Sequence, residues 1–316
     1  MKKIFAISVL LLAALLLLPL CAFQSGENTL PKIEVSNETQ IPPSPQSLKV
    51  LISETGEIKE MAVSDYLFGV LAGEMPALYE EEALKAQAVC AYTFALWRQN
   101  SNKDKDYDIT DNYKVDQCYI TKDAARKKWG SHADEYILKL QKAIADTQNE
   151  VLTYNGEIIL SVYHAVSSGS TESAKNVWGG DYPYLQSVSS VGDKLAKNYI
   201  SQAEFTPEEI KKAFESTEEI TKNPFSDLKR TDAGTVKTIK FCGEEYKGSE
   251  IREKLDLKSS NFEVEFNDGK IIFTVYGYGH GVGMSQNGAN YMAQQGSDYK
   301  EILSHYYTGC KIENLK

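Results

Sequence analysis

The sequence predicts an α+β protein. Three observations lead there. Short alternating runs flank Asn155-Gly156 and Asp268-Gly269, dipeptides that favour two-residue hairpin turns. Other stretches, such as 82–99, repeat apolar residues at helical spacing. The two kinds of segment follow each other without βαβ regularity or internal repeat, which favours hairpins packed with helices over a parallel sheet.

The elements follow in order. Lys2 and Lys3 precede an apolar run from Ile4 to Phe23, long enough to cross a ~30 Å hydrocarbon core with its N-terminal end cytoplasmic. We read residues 1–23 as an uncleaved signal anchor. No A-x-A-like cleavage site is evident, and Leu20 before Cys21 argues against a lipidated cysteine. Residues 24–47 are rich in Ser, Asn, Gln and Pro and read as a flexible tether. The catalytic body is expected over 48–316, on the exported side.

Within it, Thr55-Gly56 marks a first hairpin. Ser64 or Asp65 caps a predicted helix from Tyr66 to Gly73, stopped by Pro76. A second helix is expected over Glu82–Gln99, with Leu84, Ala88, Ala91 and Ala95 along one close-packing face. A third runs from Asp134 to about Thr147. Later come a helix with Pro207 at its first position, a hairpin in "TVKTIKFCGEEYKG", a short helix to Leu255 capped by Ser249, and the Asp268-Gly269 hairpin. Ser285 and Ser297 are expected caps of two C-terminal helices, with Gly296 as a stop.

Composition narrows the function. With 42% hydrophobic and 25% charged residues there is material for a core, and the net charge of −10 argues against nucleic acid, whose phosphates need a basic footprint. Cys90, Cys118, Cys242 and Cys310 have no zinc spacing; they read as four thiols or as one disulfide whose pairing stays open. The four histidines lack helical metal-pair spacing, and no metal or cofactor is expected. The run Gly277, Gly279, Gly281, Gly283 lacks the third glycine of a dinucleotide fingerprint, so it reads as a loop of close backbone approach around His280. No Gly-x-Ser-x-Gly elbow is present.

Three stretches carry candidate chemistry. Glu74 stands at a helix C-terminus among Leu71, Met75 and Pro76. The macrodipole and partial desolvation there both favour the protonated form that a glycosidic general acid needs. The loop Ser167–Glu172 offers hydroxyls and a carboxylate, and Trp178, Tyr182 and Tyr184 follow as faces on which sugars stack. His280 lies in the glycine loop, with Gln286 just beyond.

The ordered strings "DYLFGVLAGEMP…EALKAQAVCAYT", "YHAVSSGSTESAKNVWG…YPYLQSV", "IREKLDLKSSNF" and "GYGHGVGMSQNGANYMAQQGSDYKEILSHYYTG" resemble the stage II sporulation protein D family from about residue 48 onward. The resemblance implies a membrane-anchored lytic transglycosylase at the sporulation septum. It would cut the MurNAc–GlcNAc backbone of peptide-stripped peptidoglycan during engulfment and leave 1,6-anhydro ends. Partners would be an amidase, stage II sporulation protein P, and other engulfment membrane proteins. It assigns catalysis to Glu74 within Gly73-Glu74-Met75-Pro76. Ser167, Thr171, Glu172, Trp178, Tyr184, His280, Gln286 and Tyr119 are the substrate-binding candidates. Tyr92 stands where the family usually has arginine, Gln186 where it has lysine, and Ser168 where it has glycine. Some relatives bind zinc through two cysteines whose positions correspond to Thr110 and Asp116. A non-catalytic wall-binding protein or amidase enhancer is the rival reading. An amidase or peptidase would need a metal or nucleophile that the sequence does not display.

Overall fold

The computed structural model describes residues 44–316, so the expected anchor and most of the tether lie outside the described residues. Among the described residues, no helix is long and apolar enough to cross a membrane. The architecture is α+β, as the sequence predicts, and the sheets are small and largely antiparallel. The described chain divides into two compact units, one of residues 44–162, 293–304 and 309–316, the other of 163–292 and 305–308.

In the first unit, β1 (Ser47–Leu51) and β2 (Ile58–Ala62) form the first hairpin, with Gly56 at φ 72°. Helix α1 (Val63–Glu74) starts directly from β2, earlier than expected, with Ala62 in the N-cap position and no side-chain cap. Its stability comes from burial of Tyr66 through Ala72 rather than from Ser64 or Asp65. Helix α2 (Glu81–Ser101) buries Leu84, Ala88, Ala91 and Ala95 as expected. Strand β3 (Ile109–Thr110) pairs in parallel with β1. Helices α3 (Lys122–Trp129) and α4 (Ala133–Asp146) follow, and Thr121 caps α3 through the Ala124 N–H. Strands β4 (Glu150–Tyr154) and β5 (Glu157–Ile158) turn on Asn155 and Gly156, both at positive φ.

The second unit opens with β6 (Tyr163–His164) and the short helix α5 (Ala174–Trp178). Strand β7 (Ile200–Phe205) leads to α6 (Pro207–Ala213), where Thr206 and Glu209 form a capping box before Pro207. Strands β8 (Phe225–Arg230), β9 (Val236–Phe241) and β10 (Glu244–Lys247) make one sheet. Helix α7 (Gly248–Lys254) is entered from Lys247, whose N–H donates to the Glu250 carboxylate at 2.6 Å, so the expected cap Ser249 lies inside the helix; a Cβ on Gly248 would stand 2.0 Å from the Val236 carbonyl. Strands β11 (Phe262–Asn267) and β12 (Lys270–Tyr276) turn on Asp268-Gly269 as expected, and β7 joins the free edge of β12. Phe214, Phe225, Phe241 and Phe273 pack into one aromatic core beneath these sheets. Strand β13 (Met284–Ser285) pairs in parallel with β6, and Ser285 caps α8 (Gln286–Gln294) through the Gly288 N–H, as expected.

Helix α9 (Tyr299–Tyr306) is capped by Asp298 and Glu301, which exchange side-chain and backbone hydrogen bonds, and not by Ser297. Strand β14 (Lys311–Asn314) returns to pair with β4 of the first unit, and the Ser44 N–H donates to the Lys316 carbonyl there. The Ser44 hydroxyl also meets Tyr92 Oη at 2.8 Å and donates to Asn149. The last stretch expected as tether is thus fastened to the body.

Candidate functional site

Glu74 and Tyr119 belong to the first unit; the other seven candidates belong to the second. Each group is built by its own local chemistry.

Glu74 is the last residue of α1. The Met75 N–H still reaches the Leu71 carbonyl at 3.1 Å, but Met75 itself is extended (φ −121°, ψ 141°), the conformation that a following proline imposes. Pro76 therefore fixes where the helix stops and leaves Glu74 half-buried at its end. One oxygen, Oε1, accepts the Cys118 N–H at 2.7 Å. That donor arrives on a loop pressed against α1. Gly69 and Gly73, four residues apart on one face of the helix, make the approach possible. A Cβ at Gly69 would lie 2.1 Å from the Tyr119 ring, and one at Gly73 would lie 2.9 Å from Cys118 Sγ.

The loop is pinned on its far side. The Tyr119 ring stacks on Tyr66, and the Ile120 N–H donates to the Gly69 carbonyl. Gln117 donates to Tyr66 Oη and to the Ala91 carbonyl. Asp116, its side chain fully enclosed, pairs with Arg98 and accepts the Thr110 N–H at 2.8 Å. Burial holds the Asp116 carboxyl above its usual range in spite of Arg98. Thr110 and Asp116 thus bind each other and Arg98. A threonine and an engaged carboxylate do not fit the two-thiolate zinc site of some relatives. Among the described residues, no three His, Cys, Asp or Glu side chains are grouped to hold a metal.

Electrostatics around Glu74 are uneven. Lys128 donates to the Ala72 carbonyl at 3.0 Å, a cation placed at the negative end of the helix. Burial raises the Cys118 thiol pKa, the Glu74 charge adds to this, and Lys128 opposes it. Tyr66 is held protonated far above the usual phenol range, first by burial, with Gln117 opposing.

In the second unit, the serine loop and the glycine loop are zipped together. Val166 and Tyr278 exchange backbone hydrogen bonds, and the Glu172 N–H donates to the Gly281 carbonyl at 2.7 Å. Gly277, Gly279, Gly281 and Gly283 all have positive φ, and a Cβ at Gly279 would stand 2.8 Å from the His164 Cβ. The expected close backbone approach is this zipper.

The candidates here play different parts. Ser167, Thr171, Glu172, Tyr184 and Gln286 are buried. Ser167 Oγ accepts the Gly169 N–H, and Thr171 Oγ1 accepts the Val188 N–H. Glu172 accepts three hydrogen bonds, from the Ser173 N–H, the Asn176 amide and the Thr231 hydroxyl. Trp178 and His280 are half-buried, with ring centroids 5.1 Å apart. His164 lies 5.7 Å beyond His280. His164 Nδ1 donates to the Val282 carbonyl, so its Nε2 carries the lone pair; that atom is buried and has no hydrogen-bond partner among the described residues. Burial depresses the pKa of both histidines, that of His280 well below its usual value, and the Arg252 charge adds to this.

Sequence reasoning missed Asp193. It is fully buried and accepts from the Ser167 N–H, the Ser285 hydroxyl and the Asn287 amide, tying the serine loop to the start of α8. It falls in a stretch without periodicity, and only its short Val-Gly-Asp turn could have drawn attention. His164 was visible in the string "YHAVSSGS" but not selected. The two departures from the family pattern differ in kind: Tyr92 is buried against Ser44, whereas Gln186 is exposed.

A carboxyl presented at a helix end in one unit, and loops of hydroxyls, aromatics and neutral histidines in the other, make up the chemistry on offer. Residues 52–154 match the family model described as Stage II sporulation protein, which places the chain among sporulation proteins. The chain is 35% identical to Stage II sporulation protein D of Bacillus amyloliquefaciens over 285 residues, 87% of this chain and 81% of that protein. It is 36% identical to the protein of the same name from Bacillus subtilis (strain 168), over 85% of this chain and 79% of that one. The chain belongs to the Stage II sporulation protein D family. It is also 27% identical to a Bacillus subtilis protein named Amidase enhancer, over 78% of this chain and 40% of that one.

Proposed function

We propose that this chain is a lytic transglycosylase. It cleaves the MurNAc–GlcNAc backbone of peptidoglycan, on strands stripped of stem peptides, and acts during sporulation from a membrane anchor formed by residues 1–23. The observation that carries the reading is Glu74 itself: a half-buried carboxyl at a helix end, oriented by the Cys118 N–H. The family resemblance supports the choice of substrate.

One carboxyl suffices. Protonated Glu74 donates its proton to the glycosidic oxygen as the C1–O bond breaks. The muramic C6 hydroxyl then attacks C1, and its proton passes to the Glu74 carboxylate, closing a 1,6-anhydro ring and restoring the acid. No water is consumed, so the second carboxylate of ordinary glycosidases is not required. The Cys118 N–H limits the rotamers of Glu74 so that one group serves both steps. Trp178 and His280 supply the stacking face for sugar, while Ser167, Thr171 and Glu172 hold the loop around it. Tyr184, Gln286 and Tyr119 complete the candidate binding set. A partner amidase would supply the stripped strands.

Mass spectrometry of stripped and unstripped glycan strands incubated with the chain tests this. Anhydro-muramic ends from wild type and none from Glu74→Gln are expected. Reducing ends instead would mean that water is the nucleophile, and would sink the mechanism. The similarity to a protein named Amidase enhancer favours a second reading, in which the chain stimulates an amidase without cutting glycan. That reading requires stimulation that survives Glu74→Gln.

A further inference from the structure

Arg252 takes no part in the chemistry above. It is a half-buried residue of α7, and its guanidinium is only partly used. Nε donates to the Leu257 carbonyl at 3.2 Å, which holds the group against the segment that follows the helix. The terminal nitrogens, Nη1 and Nη2, have no hydrogen-bond partner among the described residues, and no carboxylate there forms an ion pair with them. Burial draws the guanidinium pKa below its usual value, with Tyr278 and Asp256 opposing. A cation drawn partly out of water without a partner is costly, and in folded proteins such groups are paired or await a ligand that pairs them.

Its neighbours do not supply that pair. His164 and His280 both feel the Arg252 charge, and both are neutral. The Gly279 N–H donates to the Lys258 carbonyl at 2.9 Å, which sets the segment after α7 beside the glycine loop. Lys258 lies over Tyr278, its Nζ 5.7 Å from the ring centroid, and forms no ion pair among the described residues. Tyr278 is 45% exposed. A guanidinium, an ammonium and a phenolic O–H thus sit together in the second unit, all with donors to give.

The charge balance selects the ligand class. Two cations without acidic partners call for an anion. Asp256, which acts on Arg252 without pairing to it, lowers the local positive potential. A carboxylate carries a single charge, and its two oxygens match the guanidinium fork, so it suits the cluster better than a phosphate dianion.

We propose that Arg252, Lys258 and Tyr278 form a carboxylate-binding site, with the carboxylate oxygens taken by the Arg252 Nη groups and with Lys258 and Tyr278 as further donors. None of the three is among the sugar-binding candidates. The ligand's source rests on the glycan reading above, which offers two: the lactyl carboxylate of a muramic residue, free only where the stem peptide is gone, and the carboxylate of a stem peptide.

NMR titration of the full chain with single-sugar probes tests it. These probes contain no glycosidic bond to cut, so they report the site whether or not the chain cleaves glycan. N-acetylmuramic acid should bind about tenfold more tightly than its lactyl methyl ester, and the difference should shrink as salt is raised. Arg252→Gln should abolish the difference. Arg252→Lys should restore it only in part, because an ammonium lacks the fork. Lys258→Gln, at an exposed position, should reduce the preference about threefold and keeps the site testable if the Arg252 variants fail to fold. Melting curves establish folding. Muramyl dipeptide, whose lactyl group is an amide, separates the sources: weak binding assigns the site to stripped muramic residues, and tight, Lys258-dependent binding assigns it to the stem peptide. No binding of the acid, equal binding of acid and ester, or a preference indifferent to the folded variants overturns the site. Anhydro ends made without any carboxylate preference keep the enzyme and remove the site; preference without cleavage does the reverse.

Discussion

Glu74 and Glu172 are a half-buried and a buried glutamate, and the molecule treats them in opposite ways. Glu172 is 2% exposed and accepts three hydrogen bonds from its own unit. Glu74 is half-buried at a helix end and takes the Cys118 N–H on one oxygen. A buried carboxylate saturated by internal donors is a fastener, because removing it strands those donors. A carboxyl left half-exposed at a helix end can exchange a proton with a ligand. Residue type alone does not separate the two; the depth of burial does.

The contrast breaks most sharply at Glu74→Gln. The amide keeps shape and acceptor oxygen but cannot relay a proton, so cleavage should fall by roughly 10²–10⁴-fold or more, with melting temperature nearly unchanged. Equal activity in a folded variant would remove Glu74 from the chemistry. Glu172→Ala should do the reverse. It strands an N–H, an amide and a hydroxyl, and denaturant titration should show a loss of about 3 kcal/mol. Glu172→Gln, which keeps two acceptor sites near in place, should lose clearly less.

Gly73→Ala tests whether orientation matters as well as identity. Its Cβ would stand 2.9 Å from Cys118 Sγ and 3.0 Å from the Cys118 carbonyl, so the loop must shift and its N–H must leave Glu74. We expect kcat to drop about tenfold, with ~1–3 kcal/mol of destabilisation from overpacking. Unchanged kcat would show that the N–H is dispensable.

The smallest effect concerns the histidines. Burial holds His164 and His280 below the ordinary value of 6.5, so the folded chain keeps them neutral while the unfolded chain protonates. Their contribution to stability is therefore complete above about pH 6.5 and is lost as pH falls from there toward the lower folded values. Tm measured from pH 7 to pH 5 should fall less steeply in His164→Gln than in wild type. Identical slopes would count against a buried neutral imidazole.

Much of this was legible in the sequence, for local reasons. Asn155-Gly156 and Asp268-Gly269 have the positive φ that their turns demand. Pro76 announced the end of α1, and with it the position of Glu74. Where tertiary contacts override local chemistry, the sequence misled. Ser64 does not start α1, because β2 runs into a helix whose buried face suffices. Ser297 yields to Asp298, whose carboxylate pairs reciprocally with Glu301. Asp193 could not be found by pattern, since its three donors come from residues 26 to 94 positions away. Tyr92 was visible as a departure, but its partner, Ser44, lies 48 residues away in a stretch that reads as tether.

Gly73 lets Cys118 pack against the helix that ends in the candidate acid, and that has a consequence for oxidative chemistry. Thiols react with peroxides, disulfides and alkylating reagents as thiolates. Burial and the neighbouring Glu74 charge both keep Cys118 in its thiol form. The carboxyl proposed to break glycans thus also passivates the sulfur beside it. Neutralising that carboxyl removes one of the two restraints, so Cys118 should alkylate faster in Glu74→Gln than in wild type, and the rate of labelling becomes a clock for the charge on Glu74.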